Sequence, residues 1–236
     1  PMPRGRSTTK TIVYDLSDRS SLKPVRETEL EGSYLSSRKV GDDLYVITNK
    51  YMNSFWRMRA ELTYTEKEAL AAPPSYRDSR LGEAFQTIGF EDIRYFPNAV
   101  EPSYLLIGGL RLDDPASGFH VTSYLGSGQN VYASASSLYV TVNEYEPVQT
   151  DPLALMPPSW SPVQESASAI YKFGLKEGRV QYSGRGKVPG HPLNPFSMDE
   201  QNGYFRIATT SGDMWRTDEN TSKNNIYVLD EAMTLV

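Results

Sequence analysis

The chain has 236 residues, of which 39% are hydrophobic and 22% are charged, and its net charge is −5 at pH 7. These values are typical of a soluble globular protein, and the acidic balance argues against a protein that binds the phosphate backbone of nucleic acid. The sequence contains no cysteine, which excludes disulfide bonds, thiolate metal sites and a cysteine nucleophile. It contains neither a long apolar run nor a signal-peptide pattern, so we expect no membrane-spanning segment and an absent or removed signal peptide.

The first predicted repeat occupies residues 11–50 and consists of short strands. Residues 11–16 are rich in β-branched and aromatic side chains, which favours a strand, and residues 25–30 alternate between polar and apolar. A turn at Gly41 leads into a further strand at residues 44–48.

Residues 51–102 interrupt this pattern. The capping box that begins at Thr65 and ends at Glu68 predicts a short helix, which the prolines at 73 and 74 would end. A connection of this length is an excursion between repeats, and such excursions often have a function or pack against a neighbour.

The second repeat is predicted at residues 103–145 and the third at residues 168–216. A proline-rich excursion at residues 146–167 separates them. In the third repeat, Asn202-Gly203 is a strong hairpin signal between two strands. A fourth copy begins at residues 224–236.

A unit of roughly four strands in about 40 residues is typical of a β-propeller blade. The sequence therefore predicts an all-β fold in which residues 1–236 form one propeller domain of about three and a half blades. Three explanations of this number remain open. Either the chain is an arc of a larger propeller, or oligomerisation with a second copy or another chain completes it, or its excursions supply the missing strands. We favour the first.

Several segments resemble a family of bacterial secreted proteins with a C-terminal β-propeller domain. The resemblance rests on residues 130–134, 138–140, 170–173 and 188–194, together with matches at residues 197–200, 205–210, 217–220, 14–18 and 93–97. It implies a protein exported from a bacterium, of Bacillus-like or archaeal affinity, with the propeller outside the cytoplasm. The family has no agreed catalytic residues, so the resemblance transfers no site to this chain.

Aromatic residues beside arginines are the first candidate ligand site, because sugar rings stack on aromatic side chains. The candidates for ligand binding are Tyr51, Trp56, Arg57, Trp215 and Arg216. The alternative is that these rings pack the excursions onto the propeller, since aromatic side chains dominate buried contact area.

The second candidate is a Ca²⁺ site formed by clustered oxygen ligands. No other cofactor is expected. The possible ligands are Asp213, Asp218, Glu219 and Asn220, although their spacing is not that of an EF-hand loop. The alternative is a solvated polar turn.

A catalytic role is weighed for the histidines and for three carboxylates. His120 and His191 are accompanied by no Gly-x-Ser-x-Gly elbow, which favours histidines that bond to nearby backbone. Glu101, Asp113 and Asp199 are carboxylates that a polysaccharide-active enzyme would use if two of them met at the propeller axis.

The sequence thus predicts a non-catalytic binding or scaffold module that is secreted or lies at the cell surface. Its expected partners are a protein or a carbohydrate, together with further blades of a longer chain or a second copy. Nucleic acid is not expected as a partner. The alternative is a polysaccharide-active enzyme.

Overall fold

The computed structural model describes residues 7–52, 73–96, 103–114, 116–145, 166–214, 217 and 221–236. These residues form strands and two short 3-10 turns, at Phe90–Asp92 and Pro195–Ser197, and they include no α-helix. The predicted all-β fold is therefore confirmed. Within the same residues no helix has the length and apolarity that crossing a membrane requires.

The strands of the first half, up to residue 125, are β1 (Thr8–Asp15), β2 (Lys23–Glu31), β3 (Ser33–Val40), β4 (Asp43–Tyr51), β5 (Ser75–Asp78), β6 (Gln86–Thr87), β7 (Ile93–Tyr95), β8 (Ser103–Arg111) and β9 (His120–Leu125). Those of the second half are β10 (Asn130–Ala133), β11 (Ser137–Tyr145), β12 (Ser166–Lys176), β13 (Arg179–Pro189), β14 (Met198–Gln201), β15 (Tyr204–Ser211) and β16 (Lys223–Leu229).

The strands form four sheets, with the orders β1-β2-β5-β6, β3-β4-β8-β9-β7, β10-β11-β12-β13 and β14-β15-β16. All pairings described within them are antiparallel except β7 with β9. The chain divides into two compact units, Pro1–Gly128 with Leu175–Val180 and Gln129–Gly174 with Gln181–Val236.

The core of the first unit lies around β8, which pairs with β4 on one side and β9 on the other. Residues 103–110 of this strand are all buried. The sequence explains this burial, because Tyr-Leu-Leu-Ile is a continuous apolar run that suits a strand covered on both faces. Leu106 packs in a cluster with Leu30, Val46 and Phe119.

The core of the second unit is an aromatic and aliphatic cluster. The rings of Tyr139 on β11 and Phe205 on β15 are stacked, with centroids 4.2 Å apart. Val188, Leu229 and Met233 are buried in the same cluster. Each side chain comes from a different strand or turn, so this cluster holds the β14–β16 sheet in place.

The sheets do not coincide with the predicted repeats. The strands of residues 11–50 divide between two sheets, because β1 and β2 pair with each other while β4 pairs with β8 of the second repeat. The excursion at residues 51–102 also supplies strands, since β5 pairs with β2 and β7 pairs with β9. The strand pattern of a sequence identifies hairpins but not which hairpins pair. The predicted helix after Thr65 lies outside the described residues, and so does nearly all of the second excursion.

Candidate binding site

An open depression of about 330 Å³ lies on the second unit, at one end of the β14–β16 sheet. Two turns form it, one between β14 and β15 and one after β16. Its lining residues are Asn202, Gly203, Tyr204, Asp230, Glu231 and Ala232.

The β14–β15 turn forms one side of the depression. Asn202 and Gly203 both have positive φ, at 55° and 81°, which is the backbone geometry of a two-residue type I′ hairpin. Asn and Gly tolerate this region with little strain, so the sequence itself selects the turn. Tyr204 follows directly and is 47% exposed, while the next residue, Phe205, is buried in the core.

The turn after β16 forms the other side. The backbone N–H of Asp230 donates to the Thr234 carbonyl at 2.9 Å, and Asp230 Oδ1 accepts the Thr234 N–H at 2.8 Å. Met233 has a φ of 66°, yet its side chain is buried among the core residues. These contacts hold Glu231 and Ala232 at the surface, where both are exposed.

A buried lysine supports this second turn from beneath. The Lys172 side chain comes from β12, and its Nζ donates to the Glu231 carbonyl at 3.3 Å and lies 5.8 Å from the centre of the Tyr139 ring. Tyr139 donates its hydroxyl to Glu200 Oε2 at 2.9 Å. Burial, and then the Glu200 carboxylate, raise the pKa of Tyr139, so it stays a neutral donor. The residues beneath the depression are therefore held in place before a ligand binds.

The chemistry of the lining is that of a site for a hydroxyl-rich ligand. Tyr204 presents an apolar ring with a polar tip, the Asn202 amide both donates and accepts, and the carboxylates of Asp230 and Glu231 accept hydrogen bonds. Among the described residues there is no group of three or more His, Asp or Glu side chains that would hold a metal ion.

The structure describes one residue of the predicted aromatic site. Tyr51 is 62% exposed, and its hydroxyl accepts a hydrogen bond from Asn49 Nδ2 at 3.3 Å. Trp56, Arg57, Trp215 and Arg216 lie outside the described residues. Whether these side chains form one site stays a prediction.

Of the predicted calcium ligands only Asp213 is described. Its carbonyl accepts the Ser222 N–H at 3.1 Å, and Asp213 forms a parallel bridge with Thr221. Asp218, Glu219 and Asn220 lie outside the described residues, so the calcium site stays a prediction.

The backbones of both histidines pair with other segments, His120 opposite Gly109 and His191 opposite Thr210. The His191 backbone exchanges two 2.9 Å hydrogen bonds with Thr210, and its Nδ1 lies 3.3 Å from Ser168 Oγ. Ser168 donates its proton to the Gly190 carbonyl at 2.8 Å, so its hydroxyl is not arranged as a nucleophile that His191 deprotonates. Burial lowers the pKa of His191. For His120, burial and then the charges of Arg179 and Arg26 lower the pKa.

Two of the three carboxylates considered for catalysis are held in ion pairs. Asp113 accepts two hydrogen bonds from Arg111, at 3.1 and 2.9 Å, and this pairing holds the pKa of Asp113 below its usual range. Asp199 is paired in the same way with Arg206. Glu101 lies outside the described residues.

Sequence reasoning identified the Asn202-Gly203 turn but missed the depression. The available signal was a tyrosine, Tyr204, placed directly after a hairpin turn. What the sequence does not show is that the turn at residues 230–234 lies at the same end of the sheet, because that depends on β15 pairing with β16.

The match to a known family covers the whole chain. The model of the beta propeller domain matches residues 1–236. The chain belongs to this beta propeller domain family. The predicted propeller class is thereby confirmed, and the described sheets agree with it.

Two curated relatives of this propeller domain are archaeal. An uncharacterized protein of Methanocaldococcus jannaschii is 57% identical over 69 residues, which are 29% of this chain and 10% of that protein. An uncharacterized protein of Archaeoglobus fulgidus is 43% identical over 67 residues, 28% of this chain and 9% of that protein. The matched part of the propeller domain thus spans about a tenth of the length of these relatives. The expected bacterial origin and export stay predictions.

Proposed function

We propose that this propeller domain is a non-catalytic binding module and that its depression binds a neutral carbohydrate. The observation that carries the proposal is the position of Tyr204, whose ring is accessible beside the polar groups of Asn202, Asp230 and Glu231. An aromatic face next to hydrogen-bonding groups matches a sugar ring, which has an apolar C–H face and hydroxyls along its edge.

The charges around the depression favour a neutral ligand over an anion. Asp230 and Glu231 line the opening, and both carboxylates would repel a phosphate or an acidic sugar. Lys172 does not offset them, because it is only 8% exposed and its ammonium is engaged with the Glu231 carbonyl and the Tyr139 ring. Sugar hydroxyls donate to carboxylates, so a neutral sugar gains hydrogen bonds at the same place.

The described carboxylates give no support to the alternative of a polysaccharide-active enzyme. Glycoside hydrolysis needs one carboxyl group that is protonated near neutral pH, which requires a raised pKa. Asp113 has a lowered pKa because Arg111 holds it, and Asp199 is committed to Arg206. A binding role requires no such acid.

The proposal places the module outside the cytoplasm, and this part rests on the family resemblance of the sequence. Protease treatment of intact source cells tests it. An exported domain is digested under conditions in which a cytoplasmic marker protein survives, whereas equal protection of both contradicts the location.

A glycan array tests binding. The purified chain is compared with Tyr204→Ala and with the control Tyr182→Ala. Tyr182 is a matched control because it is 46% exposed in the same unit but does not line the depression. We expect the wild type and Tyr182→Ala to bind the same neutral glycans and Tyr204→Ala to lose them. Absence of binding by the wild type, or equal binding by all three, contradicts the proposal.

A reducing-end release assay on the bound glycans separates binding from catalysis. We expect no new reducing ends above the level of a heat-denatured sample. Release of new reducing ends by the wild type would instead establish a polysaccharide-active enzyme.

A further inference from the structure

The β14–β15 turn contains an asparagine that the fold leaves open to chemical attack. Asn202 and Gly203 are both exposed, and among the described residues no hydrogen bond of the Asn202 side chain is observed. A Cβ built on Gly203 would meet nothing within 4 Å, so open space surrounds this residue. The pair that closes the turn is Gln201 with Tyr204, which leaves the Gly203 N–H outside the ladder.

The order of these two residues favours a reaction between them. In an Asn-Gly pair the backbone nitrogen of the glycine can attack the side-chain amide of the asparagine. Glycine is the least hindered residue in this position, because it has no Cβ and its backbone adapts freely. Asn202-Gly203 is the only Asn-Gly pair in the sequence.

The reaction consumes nothing but water. The Gly203 nitrogen bonds to Asn202 Cγ, the bond from Cγ to Nδ2 breaks, and Nδ2 leaves as ammonia with the proton of the Gly203 nitrogen. Water then opens the resulting succinimide ring. Cleavage at Cγ gives aspartate, and cleavage at the backbone carbonyl gives isoaspartate, whose main chain runs through Cβ and Cγ. In total an amide and a water become a carboxylate and an ammonium ion, without oxidation or reduction.

Ring closure requires the turn to open, and the structure places little in its way. Asn202 has a φ of 55°, and its backbone must rotate to bring Cγ to the Gly203 nitrogen. Residues 201–204 are all exposed and lie at the end of the sheet, so local opening breaks only the pair of Gln201 with Tyr204. Exposed hairpin ends open at far lower free energy than the core of a sheet.

The aspartate product changes the charge of the depression while it keeps the turn. Asp-Gly is favoured in the same two-residue turn as Asn-Gly. The new carboxylate has no N–H to donate to a ligand, and it joins Asp230 and Glu231 in the lining. These like charges repel one another, and Lys172 does not offset them because it is only 8% exposed.

The isoaspartate product changes the backbone as well. Its additional main-chain methylene no longer fits the two-residue turn, whose two left-handed positions set the direction of the following strand. Tyr204 follows the turn directly, so its ring moves relative to Asp230 and Glu231. Phe205 stays anchored by its stacking on Tyr139, which confines the change to the depression.

We propose that Asn202 is a site of spontaneous deamidation, and that its conversion to aspartate and isoaspartate weakens ligand binding at the depression. The chemical step depends only on the turn. The effect on binding rests on the proposed function.

Peptide mapping by mass spectrometry tests the chemical step. The purified chain is incubated at mildly alkaline pH, and we expect the mass gain of a single deamidation in the peptide that contains Asn202, divided between two products that chromatography separates. Asn224 is the internal reference, because it is also exposed but is followed by Asn225, whose side chain hinders the attack. Conversion of Asn202 no faster than that of Asn224, or conversion only after denaturation in urea, overturns the proposal.

Binding to the neutral glycans of the array, measured before and after incubation, tests the consequence. Asn202→Gly is the matched control, since Gly-Gly suits the same turn and has no side-chain amide to lose. We expect the wild type to lose binding in proportion to its converted fraction, and Asn202→Gly to bind equally when fresh and when incubated.

A wild type that is converted at Asn202 but binds as it did when fresh overturns the effect on binding. If the fresh wild type binds no glycan, the proposed function and the effect on binding both fail. The deamidation of Asn202 is decided by the mass measurement in either case.

Discussion

The β1–β2–β5 region of the first unit and the depression on the second unit are both rich in carboxylates, but their carboxylates have different surroundings. On β2, Glu29 accepts hydrogen bonds from Arg77 on one neighbouring strand and from Thr8 on the other. Beside the depression, Glu231 is exposed, and among the described residues no partner of its carboxylate is observed.

The difference follows from strand position. β2 lies between two strands, so Glu27 and Glu29 on its polar face meet side chains from both sides. The opposite face buries Arg26, Thr28 and Leu30. Asp230 and Glu231 lie in a turn, where no strand flanks them. Paired carboxylates in the sheet stabilise the fold, whereas in the turn Asp230 keeps one oxygen on the Thr234 N–H and the Glu231 carboxylate is available to a ligand. The predictions below separate these two roles.

The largest effect is expected at the buried ion pair of the first unit. Arg26 Nη2 lies 2.6 Å from Asp78 Oδ2, and the two side chains are only 6% and 2% exposed. Arg26→Met leaves the carboxylate buried without its partner, which we expect to cost about 3–5 kcal/mol in urea unfolding. Lys10→Met, on the same sheet but half-exposed, serves as the control and should cost less than about 1 kcal/mol.

The double variant Arg26→Met with Asp78→Leu sharpens this result. Replacing both partners removes the uncompensated charge, so most of the lost stability should return. If the double variant is as unstable as Arg26→Met, the loss comes from packing rather than from the unpaired charge.

A smaller effect is expected at the hydrogen bond beneath the depression. Tyr139→Phe removes the donor to Glu200 and should cost about 1.5–3 kcal/mol in the same assay, because the bond is to a charged group. Tyr204→Phe, whose hydroxyl lies at the open depression, should change stability by less than about 0.5 kcal/mol. Equal losses of stability in the two variants would contradict this assignment, in which Tyr139 supports the depression from beneath and Tyr204 belongs to its binding surface.

The stability of the β1-β2-β5-β6 sheet should also depend on pH in the acid range. Burial alone would raise the pKa of Glu29, but hydrogen bonds from Arg77 and Thr8 and the charges of Arg77 and Lys10 lower it overall. A folded pKa below the unfolded one contributes stability that is complete above the unfolded value, about 4.3, and is lost as the pH falls through the folded value.

Thermal unfolding measured between pH 7 and pH 3 checks this prediction. The midpoint should fall on acidification in the wild type, and it should fall less in Arg77→Met, which lacks the main partner of Glu29. Lys39→Met, at an exposed pair with Asp42, is the control and should follow the wild type. If Arg77→Met leaves the acid dependence of the unfolding midpoint unchanged, that dependence comes from other carboxylates.

Local features of this fold could be predicted from the sequence, because local geometry dictates them. The hairpin at Asn202-Gly203 was predicted from its turn residues and lies where β14 meets β15. The pairing of β4 with β8 was not predicted, since 51 residues, including β5, β6 and β7, separate Tyr51 from Ser103.

The candidate site was unpredictable for the same reason. Tyr204 becomes a site residue only when the turn that contains Glu231 lies beside it, and this follows from the register of β15 with β16. The aromatic residues chosen from the sequence were selected by composition, which does not distinguish an exposed ring from a buried one. Tyr139 and Tyr204 illustrate this, since one is fully buried and the other is half-exposed.

The most direct test of the account is the dissociation constant of the strongest array glycan, measured by calorimetry for the wild type, Tyr204→Ala and Tyr182→Ala. The account predicts that Tyr204→Ala weakens binding at least about fivefold, equivalent to roughly 1 kcal/mol of lost aromatic contact, while Tyr182→Ala binds as the wild type does. Equal affinities in all three proteins would show that the depression is not the binding site.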